Sequence, residues 1–177
     1  MPAPLTPVGS KVLARSRLVF LPAGASLTAP SLAILNGATA LDITNIAYSD
    51  SGMYSNNINK GAAPRRLGQS KVQESFNPSQ EAWGDLKYMI DPQSAALSDG
   101  RKAFEKFPEG TVGVFYWRPG ISSDTDLAIG QFVIPTPITL GPRAVVSSSE
   151  DDAAEFAVTQ GVIVISPGQA PLVAIVA

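Results

Sequence analysis

Apolar and polar positions divide this chain into short extended segments arranged around one strand–helix–strand stretch, Glu81 to Arg118. In Glu81–Ile90, Ala82, Gly84, Leu86, Tyr88 and Ile90 share one face. Glu81, Asp85 and Lys87 share the other, which Trp83 and Met89 interrupt. A period of two predicts a strand with one wet face, and Asp91-Pro92 ends it because proline cannot donate to a ladder. The period changes in Leu97–Phe107, where Leu97, Phe104 and Phe107 fall on one helical stripe and Arg101, Lys102, Glu105 and Lys106 face outward. Ser98 or Asp99 is placed to cap that helix, and Pro108 with Gly110 marks its stop. Thr111–Trp117 is apolar on both sides, with Val112, Val114 and Tyr116 on one face and Phe115 and Trp117 on the other. A strand of that kind is covered twice, by the helix or by another subunit.

The rest of the chain reads mainly as strands. Val12–Leu21 is centred on Leu18-Val-Phe-Leu21 and closed by Pro22 and Gly24. Thr28–Asn36 reads as one or two helical turns capped by Thr28, with Pro30 near the first turn and Gly37 past the end. Its Leu32, Ile34 and Leu35 would plug one end of a sheet. Further strands are expected at Thr39–Ile46, Lys71–Phe76, Leu127–Ile134, Ile138–Val146 and Ala153–Ile165, with Pro135 and Pro137 separating the two before the last. About seven to nine strands and one clear helix predict a mainly β chain, a β-sandwich or barrel with one flanking α-helix.

Three segments escape this pattern. Residues 1–15 form a Pro-rich arm, free or laid on a neighbour. Residues 47–70 have neither period and are dotted with Met53, Tyr54, Ile58 and Leu67; so long a structureless connection is either disordered alone or ordered by a partner. The tail, 166–177, ends in Leu172-Val-Ala-Ile-Val-Ala177, an aggregation hazard unless the fold or an adjacent copy covers it.

Composition sharpens the picture. The 177 residues suit one domain. Charged residues are only 16% of the chain, against about 25% in a typical soluble domain, which points to a surface partly covered by a partner. The net charge of −2 gives no general affinity for nucleic acid. No apolar run is long enough to span a bilayer. The charge is nonetheless uneven. Residues 47–71 carry Lys60, Arg65, Arg66 and Lys71 against Asp50 alone, while Glu150–Glu155 contains Glu150, Asp151, Asp152 and Glu155. The long loop of one copy docking on the acidic segment of another is one reading; two solvated loops is the other.

Little catalytic chemistry is available. There is no histidine and no cysteine, which removes His-based triads, thiolate catalysis and the usual zinc sites. No Gly-rich phosphate loop is present. Asp124/Asp126 and Glu150/Asp151/Asp152 are the only paired carboxylates that a hydrolase would use, and they lie in Ser-rich turns where solvated side chains are the plain reading. Asp124-Thr-Asp126 fails as a calcium loop, since Ile129 and Pro135 stand where Gly and Glu are needed. Trp83, Tyr88, Tyr116 and Trp117 form either a carbohydrate platform or, more commonly at strand spacing, core and interface.

Several stretches carry a resemblance. They are Arg17-Leu-Val-Phe-Leu-Pro22, Ala29-Pro-Ser-Leu-Ala-Ile-Leu-Asn36 leading into Ala40-Leu-Asp-Ile-Thr44, Gly84-Asp-Leu-Lys-Tyr-Met-Ile-Asp-Pro92, and Phe107-Pro-Glu-Gly-Thr-Val-Gly-Val-Phe-Tyr-Trp-Arg118. Their layout resembles the major tail tube proteins of long-tailed, siphovirus-type bacteriophages, particularly those infecting actinobacteria. The resemblance implies a structural virion protein without catalysis or cofactor. Six copies would form a ring whose inner sheets join into one barrel, and rings would stack into a channel for DNA delivery. Implied partners are further copies of the chain, the tape measure protein and the tail tip and terminator proteins, with DNA passing unbound, no membrane, and assembly in the host cytoplasm. By position, the loop 47–70 matches the inter-ring loop, which makes Met53, Tyr54, Ile58, Lys60, Arg65 and Arg66, with Glu150, Asp151, Asp152 and Glu155, candidate inter-ring contacts. Glu74, Glu81, Asp85 and Lys87 are candidate channel-lining residues, Lys87 departing from an otherwise acidic lining. The reading from another class is a β-sandwich binding module of a virion, recognising carbohydrate or a receptor.

Overall fold

The structure, a computed structural model, describes residues 15–22, 24–48, 54–57, 60–62, 74–76, 80–93, 95, 98–147, 156–165 and 172–177. Its main sheet runs in the order β2 (Leu41–Asp42), β1 (Ser16–Pro22), β8 (Val112–Pro119), β9 (Phe132–Ser147), β10 (Phe156–Val164), β7 (Leu86–Met89), every pair antiparallel. The sheet curls, and one stretch of chain joins its two edges. Ile43 N–H bonds Leu18 beside β1, while a few residues on, Ala47 bridges Tyr88 of β7 and Tyr48 N–H bonds Lys87. The architecture is a mainly β half-barrel flanked by the helix α2 (Asp99–Lys106).

The two faces of the sheet bury separate clusters, as the doubly apolar β8 requires. Leu18, Phe20 and Phe115 point inward with Ile43, Leu86, Tyr88, Ile138, Leu140 and Val158. Val19, Leu21, Val114 and Tyr116 point outward against the short helix α1 (Leu32–Leu35), Leu127, and the terminal strand β11 (Val173–Ala174). The described end of the tail, residues 172–177, docks on its own fold: Val173 and Ile175 are buried, Val176 exchanges bonds with Pro30 and Leu32, and Leu172 stays exposed.

Helix α2 starts at Ser98, whose hydroxyl accepts from Arg101 N–H. Its buried stripe is Gly100, Ala103 and Phe107, a correction to the expected Leu97–Phe104–Phe107 face. Phe104 is exposed and lies under the Arg143 guanidinium, 4.8 Å from its centre, so an exposed ring gains a cation rather than a core. Leu97 lies outside the described residues.

The Pro135/Pro137 boundary is also overturned, because β9 runs unbroken through both prolines. Leu140 N–H faces β8 and bonds Thr111, so by alternation the odd positions face the other edge. There β10 has ended at Val164 and only the Ile165 N–H to Pro137 carbonyl bond continues the ladder, so the prolines sit at its end, where a missing donor costs least. A bulge at Gly141-Pro142, opposite Gly161, shifts the β9–β10 register. The expected strand Thr39–Ile46 shortens to β2 because Thr44–Ile46 turn toward the seam, and α1 begins after Ser31, which makes no side-chain capping bond, rather than after Thr28, with Ile34 exposed.

Candidate assembly surfaces

The stretch expected to be structureless contains strands. β3 (Tyr54–Asn57) pairs with β6 (Gln80–Trp83), and β4 (Lys60–Ala62) pairs with β5 (Glu74–Phe76). These two ladders are the described part of a two-stranded arm, residues 54–57, 60–62, 74–76 and 80–83. The sequence hid it because Tyr54-Ser-Asn-Asn57 and Lys60-Gly-Ala62 carry no apolar period. The arm is rooted by Trp83, which is buried 5.1 Å from the Phe115 ring centre. The expected strand Glu81–Ile90 breaks at Gly84-Asp85, which separates β6 from β7 and exchanges the faces: Trp83 is inside and Ala82 is exposed, whereas Leu86, Tyr88 and Ile90 are inside.

Of the candidate inter-ring residues, Tyr54 and Lys60 lie on the outgoing strands of this arm. Met53, Ile58, Arg65, Arg66, Glu150, Asp151, Asp152 and Glu155 lie outside the described residues. Of the candidate lining residues, Glu74 and Glu81 lie on the returning strands, Asp85 is exposed at the break, and Lys87 is half-buried with its ammonium 5.3 Å from the Tyr48 ring centre.

An ionic cluster pins the loop 120–131. Arg17 Nε meets Asp42 Oδ2 at 2.6 Å, and its NH1 donates to Asp126 Oδ1 at 3.1 Å and to the Thr125 carbonyl. Burial opposes the Arg17 charge, but the hydrogen bonds to Asp126 and Asp42 outweigh it and raise its pKa. Across the β1–β8 pair, Arg118 is fully buried and donates to the carbonyls of Ser122 and Asp126 and to Gln131 Oε1. Burial, with Arg17 adjacent, lowers its pKa. Asp126, one of the carboxylates considered for hydrolysis or calcium, is thereby an ion-pair partner, and Asp124 stays exposed. Sequence reasoning missed Arg118 altogether; a lone arginine within an apolar strand is the signal that was there.

The aromatic platform is not on the surface. Trp83, Tyr88 and Tyr116 are buried and Trp117 packs on the inner cluster; Tyr116 donates to the Ser26 carbonyl at 2.6 Å. Among the described residues, no three His, Cys, Asp or Glu side chains come together to hold a metal. What the described surface does offer is apolar side chains: Val112, Ile163 and Ile165 on the outer sheet face, and Ile129, Phe132 and Leu172 where β9 meets β11.

No curated protein matches the chain significantly. Residues 4–171 match the family described as phage tail tube protein, a structural family of the virion tail that self-assembles into a tube. That span covers nearly the whole sequence, arm and barrel alike, and the mainly β curled sheet is consistent with it: the chain belongs to the phage tail tube protein family.

Proposed function

We infer that this chain is the repeating subunit of a siphovirus-type tail tube, in which six copies close a ring and rings stack into the conduit that delivers DNA to the host. Family membership across residues 4–171 carries the reading. The subunit works by shape and contact alone, without cofactor or catalysis. It is made in the host cytoplasm, polymerises along the tape measure protein from the tail tip, and is closed by the terminator. The loop 47–70 reaches the next ring, bringing Met53, Tyr54, Ile58, Lys60, Arg65 and Arg66 toward Glu150, Asp151, Asp152 and Glu155. Glu74, Glu81, Asp85 and Lys87 face the channel, where the predominantly negative charge keeps phosphates from sticking.

Electron microscopy of the concentrated protein, alone and seeded with tail tips, tests the reading. Tubes of constant diameter built from six-fold rings are expected; a chain that stays monomeric with seeds present refutes it. Arg65→Glu with Arg66→Glu is expected to impair stacking while leaving the melting curve of the subunit unchanged.

A further inference from the structure

We propose that the proline-rich start of this chain, Pro2–Val8, folds back on its own subunit and covers the apolar face at the mouth of the barrel where β1 begins.

Strand register defines that face. Leu18 pairs with Trp117 and Trp117 with Ile134, so one inward-facing row crosses β1, β8 and β9. One step nearer the mouth, Ser16 pairs with Pro119, and Phe132 with Ala174. Phe132 is two residues from Ile134 and so lies on the same face. Leu172 is two residues from Ala174, which sets it beside both. Trp117 and Ile134 are half-buried, whereas Phe132 is 57% exposed and Leu172 60%. The inner core therefore ends in a ledge of two aromatic rings and two aliphatic side chains.

The ledge also lacks a polar partner. The Trp117 indole N–H is shielded from water and meets no acceptor among the described residues. A buried indole ordinarily finds a partner, and a shielded donor without one is costly. Aromatic rings with an unused indole N–H suit extended, proline-rich chain. Prolines pack on the rings, and a polyproline backbone has no internal hydrogen bonds, so its carbonyls are free to accept.

The place where the described chain begins identifies the occupant. The Arg15 carbonyl accepts from Gly120 N–H, next to Ser16 and Pro119. Residues 1–14 thus start two strand spacings from Phe132, about 10 Å. Residues 1–8 reach about 25 Å when extended, and Gly9-Ser10 offers the turn that reverses the chain. Pro4-Leu-Thr-Pro7 has the spacing of an extended proline-rich ligand, and Pro2–Val8 contains no charged side chain. A tethered segment meets its site at an effective concentration in about the millimolar range, so a contact too weak to hold a separate copy suffices within one chain.

Paramagnetic labelling of the full chain tests this. The chain has no cysteine, so Ala3→Cys gives one attachment point for a nitroxide. NMR spectra are recorded below the concentration at which the protein assembles. Trp117→Phe assigns the Trp117 indole signal, since the chain holds only two tryptophans. The Trp117 indole and Leu172 methyl signals are expected to lose most of their intensity and to regain it when the nitroxide is reduced. Val112 and Ile163, on the outer face, should keep theirs. Phe132→Asp, at an exposed position, should abolish the loss with the circular dichroism unchanged. Undiminished Trp117 and Leu172 signals, or a loss shared equally by Val112 and Ile163, overturn the proposal. So does a loss of the same size when the nitroxide is carried on a second, isotope-free copy, which makes the contact one between chains. None of these results touches the tube reading, which stands or falls on assembly.

Discussion

Gln160 joins three elements with one amide, and replacing it should separate its geometric role from simple burial. The side chain is fully buried in β10. Its Oε1 accepts from the Tyr88 hydroxyl of β7 at 3.0 Å; its Nε2 donates to the Phe107 carbonyl at the end of α2 at 3.0 Å and to the Gly141 carbonyl in the β9 bulge at 2.9 Å. An amide is required because the site offers one donor and two acceptors. Gln160→Leu keeps the volume and orphans all three groups. At about 1–3 kcal/mol for each buried unsatisfied group, partly offset by relaxation, the loss is about 3–6 kcal/mol. In a chain of this length that lowers Tm by roughly 10 °C or more. Tyr88→Phe orphans only the amide oxygen and should cost about 1–2 kcal/mol. In the double variant no hydroxyl is left stranded, so its loss should fall short of the sum by about 1–2 kcal/mol. Gln160→Glu presents a carboxylate to two carbonyls. Its folded pKa must rise above the unfolded value of about 4.3, so the variant is penalised increasingly as pH rises through that value and is rescued as pH falls below it. Urea unfolding of the monomer at pH 4 and pH 7 measures all four. A Gln160→Leu loss under about 1 kcal/mol, or strict additivity with Tyr88→Phe, would refute the reasoning.

Three further outcomes are expected. A methyl group at Gly113 would sit on the Phe20 ring and 2.5 Å from the Leu21 carbonyl, whereas at Gly161 the nearest atom is Asp85 Oδ1 at 3.9 Å; Gly113→Ala should cost about 1–3 kcal/mol and Gly161→Ala under about 0.5 in denaturant melts. Burial pushes the phenols of Tyr88 and Tyr116 up to about 12 from 10, so their contribution is fully present below pH 10 and is lost as pH rises from 10 through 12. Spectrophotometric titration should show both ionising late, coincident with unfolding, and Tyr116→Phe should reduce the alkaline loss of stability. Deleting 172–177 removes Val173 and Ile175 from the outer cluster together with the bonds to Pro30, Leu32, Gly130 and Gln131. A loss of about 3–6 kcal/mol is expected from the burial of the two side chains, with dye binding reporting the exposed core.

The sequence made the barrel legible wherever a segment carried an apolar period, and left the rest illegible. Thr111–Trp117 announced two covered faces, and both clusters are there. The described strands of the arm, Tyr54-Ser-Asn-Asn57 and Lys60-Gly-Ala62, carry no apolar period, so only their backbone pairing declares them. Helical spacing places Phe104 in the core because it cannot distinguish a ring against the sheet from one under an arginine across a bulge. Arg118 was invisible for a related reason. Its partners are carbonyls and an amide from a loop that closes over it, and backbone acceptors have no signature in sequence. The exposed outer face was half legible. Val112 and Ile163 stood in the expected strands, but which partner-free row they formed depended on the register set by the Gly141-Pro142 bulge.

A tube of such subunits can be joined through strand edges or through sheet faces, and the two differ in what must first be undone. The outer edge of β7 is already met by the chain's own residues 46–48. Two backbone bonds hold that seam, Tyr48 N–H to Lys87 and Met89 N–H to Ile46, and Ile46 is buried in the inner cluster beside it. Two net bonds at about 1 kcal/mol each, plus about 2 kcal/mol for the Ile46 side chain, oppose an incoming strand before it returns equivalent bonds. The outer rows at Val112 and Ile163 displace nothing but water. Contact through faces is therefore immediate, whereas edge sharing needs an opened seam, and any edge contact in the tube has to be bound tightly enough to recover about 4 kcal/mol per subunit.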